Sequence, residues 1–546
     1  MKTTTLKKWL ASLAMLLCCT SALGYDFEVD GIYYNITSES EKTVGVTYRD
    51  VPNLMTPNQG TYKGSIIIPK TVTYNDEAYI VTNIGKYAFY NCDLSSLSIP
   101  ESVIYIEELA FYYTYLNELI IPNSVTNIGD RAFSQARISS ISLPNSIVSI
   151  GEGAFQSSYL TSVVLPSSIS TIGNNFFRYS GNLQEVVIPN SITSIGEFAF
   201  QGCINLQSIQ MPNSVKEIKY GAFSRCENLT ELIIPEGVES IGGWAFSDCK
   251  KMESVYISNN VKSIGDCVFV NCPKLVSMEV GEGNKYYDSR DKCNAIIETG
   301  TNTLISSCKS TIIPSTITAI GDGAFMSRND LTTFNIPDHI TKIGVETFSN
   351  CEALTEITVP NNVKSIGKQA FYNCPELSSV KLSENLTRIE EWTFAFCKKL
   401  ASIEIPLQAT SIGTYAFSYC SNLSSVLINH NMQHIETLAF YSCNNLSEIT
   451  CHATEPPVCE KQAFELVDRL NCKLIVPEGS EEAYMAANEW KWFYTADGIE
   501  WFEDESIVDV YNLQGVMVKK QARMKDLQGT LPKGIYIING KKIAVR

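Results

Sequence analysis

Four histidines in 546 residues leave little material for histidine-based catalysis or a histidine-rich metal site. Charge is scarce as well. Charged residues make up 18% of the chain, and 42 basic side chains face 58 acidic ones, for a net charge of −16. A face that grips phosphate backbones needs a surplus of Lys and Arg, so nucleic acid is excluded as the main partner. Beyond the first two dozen residues, no run reaches the ~18 consecutive apolar residues of a membrane-spanning helix. Patterns of the C-x-x-C, H-E-x-x-H, G-x-S-x-G, P-loop and G-x-G-x-x-G types are missing, and with them the common zinc, hydrolase and nucleotide sites. No cofactor, no metal and no enzymatic activity are therefore expected. Disorder is not expected either, because 45% hydrophobic residues can bury a core.

What is present begins with an export signal. Lys2, Lys7 and Lys8 precede an apolar run over 9–19, and Ser21-Ala22-Leu23-Gly24 offers small residues for cleavage after Gly24. A lipoprotein signal at Cys18 or Cys19 is the weaker alternative, since Leu17 and Cys18 are bulky for it. Losing this segment removes three lysines and no acid, which deepens the acidity. The expected location is extracellular, at a bacterial surface or secreted.

From residue 80 onward, self-similarity dominates. A unit ending in Ile-Gly-x-x-Ala-Phe-x-x-Cys continues as Leu-x-x-Ile-x-Ile-Pro. Its Phe recurs fifteen times from Phe89 to Phe440, at a spacing of 22 for four steps and 23 afterwards. One step of 56, between Phe269 and Phe325, holds an insertion. A period in the low twenties with an L-x-x-I-x-I core is the mark of a leucine-rich-repeat solenoid of parallel stacked strands. In Leu229-Thr-Glu-Leu232-Ile-Ile234-Pro235, Leu232 and Ile234 share one strand face, and Pro235 ends the strand because it cannot donate to the ladder. The Ala245-Phe246 stretch should return the chain in a compact helical turn. Gly follows the Ile in eleven of fifteen units, but Glu107, Lys219, Glu390 and Glu436 stand there elsewhere, so that corner does not require a positive φ.

The IPxSVxxIGxxAFxxC units resemble the BspA-like leucine-rich repeats of bacterial surface adhesins over about residues 60–480. The opening from Tyr25 to Tyr34 is similar to the N-terminal cap of many such proteins. The resemblance implies surface display and binding to host matrix or neighbouring cells, and it carries over no catalytic residue. Ser258, Ser383 and Asn429 stand in place of the strand-ending Pro.

The expected organisation is a signal over 1–24, a β cap over 25–80, repeats over 81–452, a C-terminal cap over 453–496, and a linker with a small β-module over 497–546. In the cap, a helix over 481–492 would lay Tyr484, Trp490, Trp492 and Phe493 on the last turn. The insertion, at about 273–310, reads as a hairpin projecting from the stack, with Tyr286 and Tyr287 as contact residues, or as an enlarged turn with its tyrosines over the core. After the acidic linker (Glu500, Glu503, Asp504, Glu505), alternating strands with Gly515, Gly534 and Gly540 resemble the C-terminal sorting domain of type IX (Por) secretion. That resemblance implies outer-membrane surface attachment; the other reading is a β-module folded onto the cap.

Ten of the sixteen cysteines after the signal hold the repeat's own Cys position and should form a buried, reduced column. Off-register Cys293, Cys308, Cys451, Cys459 and Cys472 are the better disulfide candidates. His430 and His434, four apart in a loop and short strand, lack the shared helical face a metal pair would need.

Recognition is left to the outward strand positions. Small hydroxyls there are studded with carboxylates, among them Glu118, Glu185 and Glu231, and a further column carries Ile120, Val164, Val187, Ile233 and Tyr256. That column is either a partner footprint or β-branched residues favoured by strands. The expected function is adhesion or protein–protein interaction with host or neighbouring-cell proteins. The alternative is a surface glycan-binding module using some of the 27 tyrosines.

Overall fold

The computed structural model describes residues 24–50 and 60–494, with 507–512, 515–523, 527, 531, 534–538 and 541–545 of the C-terminal segment. Residues 1–23 of the expected signal over 1–24 and the linker acids over 500–505 lie outside the described residues. The chain divides into two compact units, residues 1–275 with 280–286, and residues 276–279 with 287–546. Each is built of stacked coils joined by parallel ladders.

In the first unit, Phe27–Val29, Ile32–Ser38 and Thr43–Thr47 form an antiparallel cap. Thr43–Thr47 then pairs in parallel with Glu77–Ile84, which pairs with Tyr105–Ile106. The cap thus feeds directly into the ladder of the coils, Asn127–Ile128 and Ser149–Ile150 following in register. The Tyr62 ring covers Phe89 at a centroid distance of 5.1 Å. From Phe89 to Phe269 every repeat phenylalanine is buried, and neighbouring rings lie 4.9–5.8 Å apart.

The second unit repeats the plan. Phe325, Phe348, Phe371, Phe394, Phe417 and Phe440 are buried and stack at 5.2–5.5 Å. Phe464 continues the column. Of the two readings of the insertion, the projecting hairpin is not the one found: Ala295–Glu298 and Thr303–Ser307 form a hairpin that joins the stack. Thr303–Ser307 pairs in parallel with Ala319–Ile320, and Ala295, Ile296, Ile297 and Leu304 are fully buried. An alternation apolar enough to make a hairpin here is also apolar enough to be drawn into the stack.

At the C-terminal cap the expected single helix is broken. Glu481–Ala486 is helical, Ala487 is extended, and Trp490–Phe493 forms a 3-10 turn. The break turns Tyr484, Trp490 and Phe493 inward together, while Trp492 stays half-buried. The Tyr484 hydroxyl donates to the Ala453 carbonyl at 2.8 Å, and the Trp490 indole N–H to the Pro457 carbonyl at 2.8 Å. Farther on, Ile507–Asn512, Met517–Arg523, Gly534–Ile538 and Lys541–Val545 make an antiparallel sheet.

The return stroke of each coil is not the expected helical turn. In the coil over 219–226, Ala222, Ser224 and Cys226 donate to the carbonyls three residues back, while Gly221, Phe223 and Arg225 donate to Gly243, Ala245 and Ser247 of the next coil. Alternate N–H groups are thereby committed along the stack, so an i→i−4 helix cannot form. The backbone manages this with two left-handed residues four apart, Gly221 and Arg225 here, Trp244 and Asp248 in the next coil. The glycine after the repeat Ile has another cause. A Cβ on Gly129 or Gly242 would come 2.5 Å from the backbone nitrogen of the coil below, so close approach selects it and φ does not.

Where Pro is replaced, the substitute bonds to the coil before. Ser258 donates to the Pro235 carbonyl at 2.9 Å, Ser383 to Val363 at 2.7 Å and Asn429 to Ala409 at 2.9 Å.

Candidate functional site

All sixteen described cysteines are free, and all but half-buried Cys459 are buried. Nine in-register thiols donate to the carbonyl of the phenylalanine one coil back, as Cys397 does to Phe371 and Cys420 to Phe394, at 3.2 and 3.1 Å. Thr114 and Ser180 make the same bond to Phe89 and Phe155, so the position requires a small donor. The five off-register cysteines are not disulfide-bonded as expected, because each packs into its own environment. Cys293 meets the Ala295 carbonyl, Cys308 that of Asn294, and Cys451 accepts from Tyr484. Cys459 and Cys472 are equally free. Cys267, which belongs to neither group, is buried as well.

Burial pushes the Cys351 and Cys443 thiols up to about 12 from an ordinary 9.0. A reactive thiolate is therefore absent from this column at neutral pH. The folded pKa lies above the unfolded one, so the associated stability is intact below pH 9 and lost as pH rises from 9 toward 12. Stability should therefore fall progressively over that window. Urea unfolding at stepped pH should show this decline, and iodoacetamide at pH 8 should label the in-register cysteines only after denaturant is added.

No group of three or more His, Cys, Asp or Glu suited to a metal is found among the described residues. His430 and His434 are exposed, as a loop and short strand dictate. No described helix is long and apolar enough to cross a membrane.

The strand face of the first unit is the remaining candidate. Glu118–Ile120 pairs with Ser140–Ser142, Ser162–Val164 with Glu185–Val187, and Glu231–Ile233 with Ser254–Ile257. The alternation buries the central residue of each and turns the flanking ones outward. Ile120, Val164, Val187 and Ile233 are 66%, 63%, 47% and 59% exposed. Beside them Glu118, Glu185 and Glu231 are exposed, and their carboxylates have no ion pair or hydrogen bond among the described residues. The outward strand stretches 117–120, 139–142, 161–164, 184–187, 207–210, 230–233 and 253–256 contain no Lys or Arg. Beside this face, Arg137 lies between the Tyr115 and Tyr159 rings.

The ladder on this face is interrupted on both sides of the Ser162–Val164 and Glu185–Val187 pair. This pair spans the change of period from 22 to 23 residues. A hollow of about 310 Å³ opens on one side, lined by Ser140, Ser142, Ser162, Val164, Glu185 and Val187 among others. Another of about 400 Å³ opens on the other, lined by Gln184, Glu185, Val187, Gln207, Ser208 and Gln210 with neighbouring strand residues. Glu185 and Val187 line both.

The other residues singled out from sequence fall elsewhere. Glu118 and Ile120 sit two coils before Val164, and Glu231 and Ile233 sit two coils after Val187. Tyr256 is half-buried, its hydroxyl so close over Gly281 that an added Cβ would lie 2.9 Å away. Tyr286 is exposed, whereas Tyr287 is buried in a strand pairing with Glu298 and is withdrawn from any surface role. Sequence reasoning passed over Gln207, Ser208 and Gln210. The available signal was Gln210, an amide in a column that holds Ile or Val at Ile120, Val164, Val187 and Ile233.

The model of the BspA type leucine-rich repeat region matches residues 82–195, 170–293, 297–410 and 341–471. Among curated proteins, none matches the chain. Among solved structures, a leucine-rich repeat protein from Bacteroides ovatus is 25% identical, with 83% of this chain and 100% of that one covered and a TM-score of 0.47. A leucine rich cell surface protein from Faecalibacterium prausnitzii is 23% identical, covering 78% and 93%, with a TM-score of 0.39. The pneumococcal vaccine antigen PcpA is 17% identical, covering 85% and 96%, with a TM-score of 0.38.

Proposed function

Because the chain belongs to the BspA type leucine-rich repeat family, we propose that it is a non-catalytic scaffold displayed outside the cell. It binds proteins of a host matrix or a neighbouring cell through the strand face of its first unit. One observation carries this reading: an exposed aliphatic column runs beside three unpaired carboxylates, with no basic residue in the outward stretches. Exposed apolar surface rimmed by polar groups is what a partner footprint requires. The C-terminal antiparallel module is proposed as the segment recognised for type IX export and surface attachment, on its strand-and-glycine pattern.

Glycan binding has one observation in its favour. In the second unit, Trp392 and Tyr415 stack at 4.1 Å and Phe396 and Tyr419 at 4.5 Å, with Tyr372 and Tyr441 set edge-on beside them. Each stacked pair covers one face of each of its rings, which reduces the face area open to a sugar.

The test is binding of the mature chain to immobilised matrix proteins and to polysaccharides. Saturable protein binding is expected, weakened about 10- to 100-fold by the combined change Ile120→Ser, Val164→Ser and Ile233→Ser with an unchanged melting temperature. Binding to polysaccharide alone would reverse the order of the two readings. Conversion of a bound ligand to product would end the non-catalytic one.

A further inference from the structure

The coil over 207–211 departs from its neighbours. Its strand is not formed, and the backbone groups of Ser208, Ile209, Gln210 and Met211 have no hydrogen-bond partner among the described residues. Ile209 and Met211 are only half-buried, whereas Val186, Ile188, Leu232 and Ile234, at the same places in adjacent coils, are buried. A coil in mid-unit has thus given up its ladder on this face and part of its core contact, while Glu217–Ile218 of the same coil stays paired on both sides, and it does so at the wall of the 400 Å³ hollow. Main-chain donors and acceptors left open in this way must be satisfied by water or by a ligand.

The groups around them are those that suit a polypeptide. Gln184, Gln207 and Gln210 can each donate and accept, matching peptide amides in either direction. Val187 and Val164 supply aliphatic contact, and Glu185, shared by both hollows, supplies an unpaired negative charge. No aromatic ring lines either hollow, which disfavours a sugar, and no cation lines them, which disfavours phosphate.

Resting on the protein-binding reading above, we propose that the open coil over 207–211 anchors the footprint. It takes an extended segment of the partner, hydrogen-bonded through its main chain, with aliphatic side chains on Val164 and Val187. A basic side chain of that segment seats against Glu185. An Arg guanidinium satisfies the carboxylate and can donate to an open carbonyl at the same time.

The test uses the full mature chain and synthetic twelve-residue peptides alternating Val with Arg, Val with Glu, or Val with Ser, read by fluorescence anisotropy at several salt concentrations. The Val-Arg peptide should bind best. Glu185→Lys should weaken it at least 10-fold and Glu185→Gln less, while Glu101→Gln, in an exposed turn outside the outward strand stretches, should change it by under 2-fold. Gln210→Val, which restores the aliphatic column and favours pairing of the coil, should also weaken it. Equal binding of the Val-Glu peptide, or no effect of Glu185→Lys, overturns the anchor. If matrix proteins still bind and the Ile120, Val164 and Ile233 substitutions still weaken them, the broader reading survives that loss. Absence of all protein binding removes both.

Discussion

Replacing Phe371 by alanine is expected to cost about 3–5 kcal/mol of stability. Its ring is fully buried between those of Phe348 at 5.4 Å and Phe394 at 5.2 Å, so removal opens a void that borders three coils. The backbone bonds of this residue should survive, because its N–H donates to Thr393 and its carbonyl accepts from Cys397, both independent of the side chain. The loss is therefore one of packing alone. In a stack where each coil depends on its neighbours, a weak coil also divides the cooperative unit. Urea unfolding of the variant should show a lower and broader transition, or two. A loss below about 1 kcal/mol with one sharp transition would contradict the shared dry column.

Removing the lid of the last coil should have an effect of similar size. Trp490→Ala deletes a fully buried indole that sits 5.2 Å from Phe464 and 5.3 Å from Tyr484 and donates to the Pro457 carbonyl. The expected cost is about 3–5 kcal/mol. Its location should differ from that of Phe371→Ala. Hydrogen exchange should rise first at the Phe464 coil and only later along the unit. Trp490→Phe keeps most of the ring contact and loses the bond, so about 1–2 kcal/mol is expected. Equal protection of the Phe464 coil in Trp490→Ala and wild type would remove the capping role from Trp490.

The stacked coils could be read from the chain because their cause is local and repeated. Phe246, Leu232 and Ile234 occupy the same register in every turn, and periodicity alone brings them inside. The turn itself was misjudged because Ala245-Phe246 has helix-forming composition, while its N–H groups are taken by the next coil, a partner one period away that no local window contains. The in-register thiols were placed by their repetition; Cys293, Cys308, Cys451, Cys459 and Cys472 have no register, and spacing could not say what each would pack against. Glu185 and Val187 were visible as outward positions. That they border two hollows was not, since one hollow arises where ladder bonds are missing around Gln207 and Gln210 and the other where they are missing between Ser140–Ser142 and Ser162–Val164, and a missing bond leaves little trace in composition.

Because alternate N–H groups in the regular turns reach to corresponding atoms one coil away, regular coils of equal length present matching surfaces to one another. A gene encoding such a chain can gain or lose an in-frame copy by recombination and still yield two surfaces that mate. Length is then cheap to vary across generations, whereas the departure at Gln207–Met211 would be erased by the same copying unless selection retained it.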